Sequence, residues 1–275
     1  MNYRAHLIFI GLFCIFYFKQ SHAIDAIETS EHHDKSCFLL YEFGVGEIIQ
    51  NPSEACKLRL SPASIFKIPH ALAALDSGVI TSPEQELEYD GKGNWAYSAR
   101  RNHTLASAIR NSVVWYFQRI ALLLGLEQEK AYLHKFAYGN EDISGGLTSF
   151  WLGNSLLITP EEQLIFLKAL YQDALPVKKS AMTDVKTVLL QPTNVVVNAA
   201  GEQSFAAPWP NDARVSAKTG SINDQFGQGI RWVIGYIHRG EREYIFVSCV
   251  VGTPDIYANA AIDQAAKLLH EKGIL

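Results

Sequence analysis

The 275-residue chain carries little charge and no excess of basic residues: 24 lysines and arginines stand against 28 aspartates and glutamates, and charged residues make up 19% of the whole. A net charge of -4 leaves no basic face of the kind that grips phosphate backbones, so no nucleic-acid partner is expected. Long apolar runs are scarce as well. The run from Leu7 to Phe18 spans 12 residues, short of the roughly 20 that a helix needs to cross a bilayer. The nine histidines form no cluster at ligand spacing with one another or with cysteine, so no metal is expected and a metallo-hydrolase is a poor fit. His32 and His33 of "HHDK" read as part of a polar, frayed lead-in. No internal repeat or low-complexity linker is present. The remainder, 48% apolar, is ordinary globular material, long enough for one large domain or two small ones.

The short apolar run has a meaning of its own. Arg4 precedes it, and Ser21 and Ala23 follow at the -3 and -1 positions of a cleavage site, the pattern of a secretory signal peptide over residues 1–23. Cys14 lies between Phe13 and Ile15, without the small preceding residue that a lipoprotein cleavage site favours. The mature chain, residues 24–275, is therefore expected to be exported to the periplasm, with no stable membrane association once the signal is removed. It keeps Cys37, Cys56 and Cys249. Export permits a disulfide, and Cys37 and Cys56 flank a hairpin whose strands would bring them together, but the connectivity stays open. Cys249 reads as a small buried hydrophobe in an apolar strand.

Along the chain, strands are expected at Cys37 to Glu42 and Glu47 to Gln50, joined by a turn at Gly44 and Gly46. Ile65, Ile68, Leu72 and Leu75 have helical period, which places Ser64 at the opening of a helix. From Ser82 to Tyr171 helix signals dominate. "HTLASAIRNSVVWYFQRIALLLG" reads as helical up to a stop at Gly125, and Thr159, Pro160 and Glu162 form a capping box with proline at the first helical position. Residues of about 82–175 thus form a helical lobe. "ARVSAKTG", "RWVIGYIH" and "EYIFVSCVVG" are strand-like, and "ANAAIDQAAKLLHEKG" is a closing helix. Strands at both ends with helices between predict an α+β fold: a central antiparallel sheet built from the two terminal segments, flanked by helices, with a mainly helical lobe.

The chemistry starts at "PASIFK". Lys67 stands among Ile65, Phe66 and Ile68, where an unpaired ammonium is costly to desolvate, and three residues after Ser64, which puts both on one helix face. Burial lowers a lysine pKa from about 10.4 toward neutrality, and a neutral amine can take the proton that makes a serine hydroxyl nucleophilic. A helix opening adds backbone N–H groups suited to an oxyanion. Alone the signal is weak, since about one S-x-x-K match arises by chance in such a chain, and Pro69 disturbs a simple helix.

"SVV" at Ser112 to Val114, "YGN" at Tyr138 to Asn140 and "KTG" at Lys218 to Gly220 are each bland: a helix face, a turn and a strand end. In this order after "PASIFK" they resemble the active-site motifs of the serine penicillin-recognising enzymes, specifically class D, the oxacillinase family of β-lactamases, in which tyrosine heads the third motif. "GLTSFWLGNSL", "ITPEEQ" and "FVS" extend the resemblance over nearly all of the mature chain. It implies a β-lactamase/transpeptidase-like fold and hydrolysis of the β-lactam amide bond, giving antibiotic resistance, with small-molecule β-lactams as the partners. Ser64 would be the acylated nucleophile. The backbone N–H groups of Ser64 and Ser221 would form the oxyanion hole. Ser112 would relay a proton to the lactam nitrogen, assisted by the charge of Lys218. Val114 and Tyr138 would wall the pocket, and Lys218, Thr219, Gly220 and Ser221 would bind substrate. Lys67 would be modified to N6-carboxylysine by carbon dioxide and act as general base, supported by the indole N–H of Trp151, which otherwise reads as core packing.

One departure stands out. Many class D enzymes hold the drug's carboxylate with an arginine beyond the "KTG" strand, yet no arginine follows Arg242. Lys218, Thr219 and Ser221 then hold the carboxylate, or Arg231 or Arg242 reaches it by another route. The competing readings are a β-lactam sensor domain, acylated without turnover, and a penicillin-binding DD-peptidase.

Overall fold

A computed structural model describes residues 35–50, 54–153 and 155–275. The expected signal peptide and the His32–His33 pair lie outside them. The chain opens with a hairpin, β1 (Lys35–Glu42) and β2 (Gly46–Gln50), followed by a one-turn 3-10 helix at Ala63–Phe66 that runs into α1 (Lys67–Ser77). Two short strands, β3 (Glu86–Leu87) and β4 (His103–Thr104), precede α2 (Leu105–Arg110), α3 (Val114–Phe136), α4 (Pro160–Tyr171) and α5 (Lys179–Val188). A small hairpin, β5 (Val195–Asn198) with β6 (Gly201–Ser204), leads to three long strands, β7 (Ala213–Asn223), β8 (Gly229–Arg239) and β9 (Arg242–Gly252), and then to α6 (Ala260–Glu271).

The main sheet has five strands in the order β2-β1-β9-β8-β7, each pair antiparallel, so the first and last thirds of the sequence build it together, as expected. Both faces are covered, which is why β8 and β9 read as continuous apolar runs rather than alternating ones. Neighbouring residues on one strand enter different cores. Leu39, Ile234, Ile245 and Val247 belong to the core on the side where α4 lies against β1 and β9, whereas Phe38, Leu40, Val233 and Phe246 pack under Ala261, Ile262, Ala265 and Leu269 of α6. Each such side chain contributes roughly 1.5–3 kcal/mol, more than a helix cap at about 1 kcal/mol, so core burial dominates the ledger.

Two expected helices are redrawn. Ser64 lies in the 3-10 turn, and α1 proper starts at Lys67. The cause is Pro69: with the start at Lys67, its missing N–H falls in the first turn, where donors have no partner inside the helix. The long helical run around Ser112 is interrupted as well. His103 and Thr104 pair with β3, and Thr104 caps α2 in a capping box with Ser107. The chain breaks at Asn111 to Val113 before α3 begins. Gly125 is a break inside α3 rather than its end, with φ 75° and ψ 168°, values open to glycine. The capping box at Thr159 forms as expected, with Pro160 at the first position of α4.

Cys37 of β1 and Cys56 are joined by a disulfide, with Cα atoms 5.0 Å apart and a sequence separation of 19. Cys249 is free and buried, and burial pushes its thiol pKa well up. No helix among the described residues is long and apolar enough to cross a membrane. Chain-entropy arguments for a loop of this length predict that the Cys37→Ser/Cys56→Ser double variant loses about 3 kcal/mol of unfolding free energy in urea. An unchanged midpoint would show that the crosslink restrains nothing the sheet does not already restrain.

Candidate active site

The 3-10 turn and α1 place Ser64 and Lys67 on one side of the chain, and Lys67 Nζ lies 2.8 Å from Ser64 Oγ. Lys67 is wholly buried, with its nitrogen 5.4 Å from the centre of the Phe117 ring. Among the described residues no carboxylate pairs with it. Burial first, and the charge of Lys218 second, hold its amine well below the ordinary lysine value. Both effects favour the neutral amine over the ammonium at the point where Lys67 meets the Ser64 hydroxyl.

The break between α2 and α3 delivers the next pair. Ser112 adopts φ 57°, a left-handed conformation that turns it out of the helical path, while Ser112 N donates to Ile109 O and Val113 N to Ala108 O. Lys218 Nζ, on β7, donates to Ser112 Oγ at 3.0 Å and to Thr219 O at 2.9 Å. Burial lowers Lys218 to about 7, so it can hold or release a proton near neutral pH. A second left-handed residue, Ala63 at φ 48°, immediately precedes Ser64. Each such position costs about 1–2 kcal/mol, strain that the surrounding packing must hold.

β7 is an outer strand, and its free edge forms the third side. Gln191 N donates to Val215 O, and Ala217 N donates to Leu189 O, so the backbone groups of odd-numbered residues point off the sheet. Pairing with β8 stays in regular register from Ala213 to Asn223. With a period of two, the N–H of Ser221 points off that same edge, past the segment that covers its first half. Gly220 lets the edge close on the Ser64 turn. A Cβ there would stand 3.0 Å from Pro62 O and 3.2 Å from Ile65 Cγ2. The resulting cleft, about 320 Å³, is lined by Ser64, Ser112, Val114, Thr219, Gly220 and Ser221, with the β5–β6 tip at Asn198–Ala200 and Ala258 and Ile262 beyond.

Trp151 is buried beneath this floor. Its ring stacks on Phe66 at 5.7 Å and 30°, and its loop is tied to the nucleophile segment by Ser61, whose Oγ donates to Trp151 O and accepts from Gly153 N. Trp232 Nε1 donates to Ser61 O, which completes the anchor. The indole Nε1 of Trp151 is buried with no hydrogen-bond partner among the described residues. Ser61 carries no sequence signal beyond standing two residues ahead of Ala63, and the contribution of Asn198–Ala200 has none.

Tyr138 does not line the cleft. It is wholly buried behind Phe66, its hydroxyl donates to Gln163 Oε1 at 2.7 Å, and burial, then Glu162, raises its pKa well above the usual value. The expectation that it walls the pocket is corrected: the turn at Tyr138-Gly139-Asn140 points its first side chain into the core, between Phe66 and Phe166. Neither arginine supplies a carboxylate clamp. Arg242 pairs with Glu42, and its partner in register, Arg239, is five residues along β8 from the Ile234 that faces Lys218, about 17 Å away. Arg231 faces Ser221 across the sheet, but its Nη atoms are spent on Ile222 O, Ile230 O, Ile256 O and Asn223 Oδ1.

Two outcomes follow from this geometry. Gly220→Ala should push β7 from the Ser64 turn, an overpacking cost of about 1–3 kcal/mol visible as a lower unfolding midpoint together with slower serine acylation; wild-type values of both would contradict the close approach. For Lys218 the folded pKa near 7 lies below the ordinary 10.5. Between the two the unfolded chain binds a proton that the folded chain lacks, so stability rises with pH. From pH 7.5 to 9 the wild type should gain on Lys218→Met by about 1.4 kcal/mol per pH unit in urea unfolding, whereas parallel profiles would contradict a neutral lysine.

Residues 19–271 match the family described as penicillin binding protein transpeptidase domain. The chain is 32% identical over 230 residues to the probable β-lactamase YbxI of Bacillus subtilis, covering 84% of this chain and 79% of that protein. The solved class D β-lactamase BAT-2 superposes with a TM-score of 0.75 at 32% identity, over 88% of this chain and 93% of that one. The regulatory protein BlaR1 of Bacillus licheniformis is 32% identical over 218 residues, 78% of this chain but 33% of that protein. With its transpeptidase-type sheet and its ordered Ser64, Ser112 and Lys218 motifs, the chain belongs to the class D, OXA-type β-lactamase family.

Proposed function

We propose that this chain hydrolyses the amide bond of β-lactam antibiotics through an acyl-enzyme on Ser64, with Lys67 in its N-carboxylated form as general base. The observation that carries the reading is the Lys67 amine, sealed from solvent, without a carboxylate partner among the described residues, and 2.8 Å from Ser64 Oγ. The same reading takes residues 24–275 as one catalytic domain, exported to the periplasm after removal of residues 1–23.

Two features fit the carboxyl group. Burial shifts Lys67 toward the neutral amine that carbon dioxide requires, the nitrogen bonding to carbon and losing a proton. The Trp151 Nε1–H is a buried donor with no acceptor among the described residues, a state that costs about 1–3 kcal/mol and that an anion on Lys67 would relieve. When bound, the group supplies a general base for both acylation and deacylation.

The remaining steps belong to the chain's own residues. Ser64 Oγ, once its proton is removed, attacks the lactam carbonyl. The negative charge that builds on the carbonyl oxygen is met by the N–H of Ser64 and that of Ser221, fixed donors that need no reorganisation. As the C–N bond breaks, the leaving nitrogen takes a proton from Ser112 Oγ. Lys218, which donates to that hydroxyl and sits near its own pKa, restores it. Val114 walls the cleft beside Ser112. With both arginines engaged elsewhere, the substrate carboxylate falls to Lys218, Thr219 and Ser221.

The test is hydrolysis of a chromogenic cephalosporin by the purified protein in bicarbonate, followed by mass spectrometry of any adduct. Multiple turnovers with a transient adduct on Ser64 are expected. Lys67→Ala should abolish turnover, and Trp151→Phe should spare much of acylation while slowing deacylation. Activity should fall in acid and recover with bicarbonate; indifference to bicarbonate at every pH would remove the carboxylated lysine from the account. The match to BlaR1 favours one second reading, a sensor that is acylated and holds its adduct. A single stoichiometric burst without turnover would decide for it.

A further inference from the structure

A second buried ionisable group, unused by the steps above, lies behind Lys67. His70 follows Lys67 by one turn of α1 and is caged by Phe66 at 5.0 Å, Phe117 at 5.8 Å and Trp151 at 5.2 Å, the last edge-on at 73°. His70 Nε2 is 2.5 Å from Glu129 Oε1, both residues are 1% exposed, and His70 Nδ1 is buried with no partner among the described residues. Two of the caging rings border the site itself. Phe117 underlies the Lys67 nitrogen, and Trp151 carries the unpartnered Nε1. Phe117 and Glu129 stand on opposite sides of the Gly125 break in α3, so His70 is where both halves of that helix meet the tryptophan.

As mere filler this pair is a poor choice, because apolar side chains of similar volume would hold the rings at no desolvation cost. What an imidazole–carboxylate hydrogen bond adds is direction: it fixes the ring's rotation about its last side-chain bond, which tilted aromatic contacts leave loose. We propose that His70 and Glu129 form a positioning pair that sets the plane of the Trp151 indole, and so presents its Nε1–H to the carboxyl group on Lys67. The inference rests on the carboxylated-lysine reading and concerns how the chain prepares for that group. Neither residue touches substrate.

Carbon-13 bicarbonate is the probe, followed by NMR on the intact mature protein. In the wild type a carboxylated-lysine signal should grow while the Trp151 indole N–H and the His70 ring resonances shift with the same half-saturation. In Glu129→Gln and in His70→Asn the half-saturating bicarbonate concentration should rise about 10-fold or more, the range typical of lost outer-shell partners. Deacylation should slow in proportion at low bicarbonate and recover at high bicarbonate, with acylation at saturation within about 3-fold of wild type, well under the effect on carboxylation. Wild-type bicarbonate dependence in Glu129→Gln overturns the proposal, as do His70 resonances that ignore bicarbonate in the wild type, a measurement that needs no variant to fold. Absence of any carboxylated-lysine signal in the wild type brings down the underlying reading and this one with it. A normal signal with unaffected variants overturns this one alone.

Discussion

A primary amine sealed from water and given no anion sheds its proton, and much of the local structure around Lys67 serves that condition. Lys67 is wholly buried with its nitrogen over the Phe117 ring, and the neighbouring Lys218 adds repulsion rather than a partner. Had an aspartate been placed within reach, Lys67 would be an ion-paired ammonium, a donor with no lone pair and no use as a base. The Ser64 contact has chemical content because no carboxylate among the described residues pairs with Lys67.

The site is assembled where three elements meet, and each contributes through an edge or a break rather than a regular face. The 3-10 turn ahead of α1 supplies Ser64, the α2–α3 junction supplies Ser112, and the free edge of β7 supplies Lys218 and the Ser221 N–H. Left-handed residues at Ala63 and Ser112 mark two of these places. Their strain is held by dense packing: Gly220 against Pro62 and Ile65 on one side, Ser61 bridging to the Trp151 loop on the other. The chemistry is thus carried on a rigid frame whose irregular points are its functional points.

Much of this was legible beforehand. The Ser64–Lys67 spacing implied contact on one face, and the strand signals at both ends implied a shared antiparallel sheet. Helical periodicity misread the segment around Ser112, because a non-glycine residue at positive φ leaves no trace in hydrophobic pattern. Tyr138 was placed in the pocket because a motif gives position along the chain and not the side to which a turn sends its side chain. The partnerless indole of Trp151 and the His70–Glu129 pair were invisible for another reason. They depend on residues 59 or more apart, or on an absence of partners, and neither property is local.

The central claim concerns the protonation state of one nitrogen, and the most direct measurement is an NMR titration of the Lys67 side chain, labelled at Cε and Nζ, in protein freed of carbon dioxide. The account predicts an amine whose titration is displaced to well below the ordinary lysine range. An amine that stays protonated until a pH of about 10, like a solvated lysine, would contradict it.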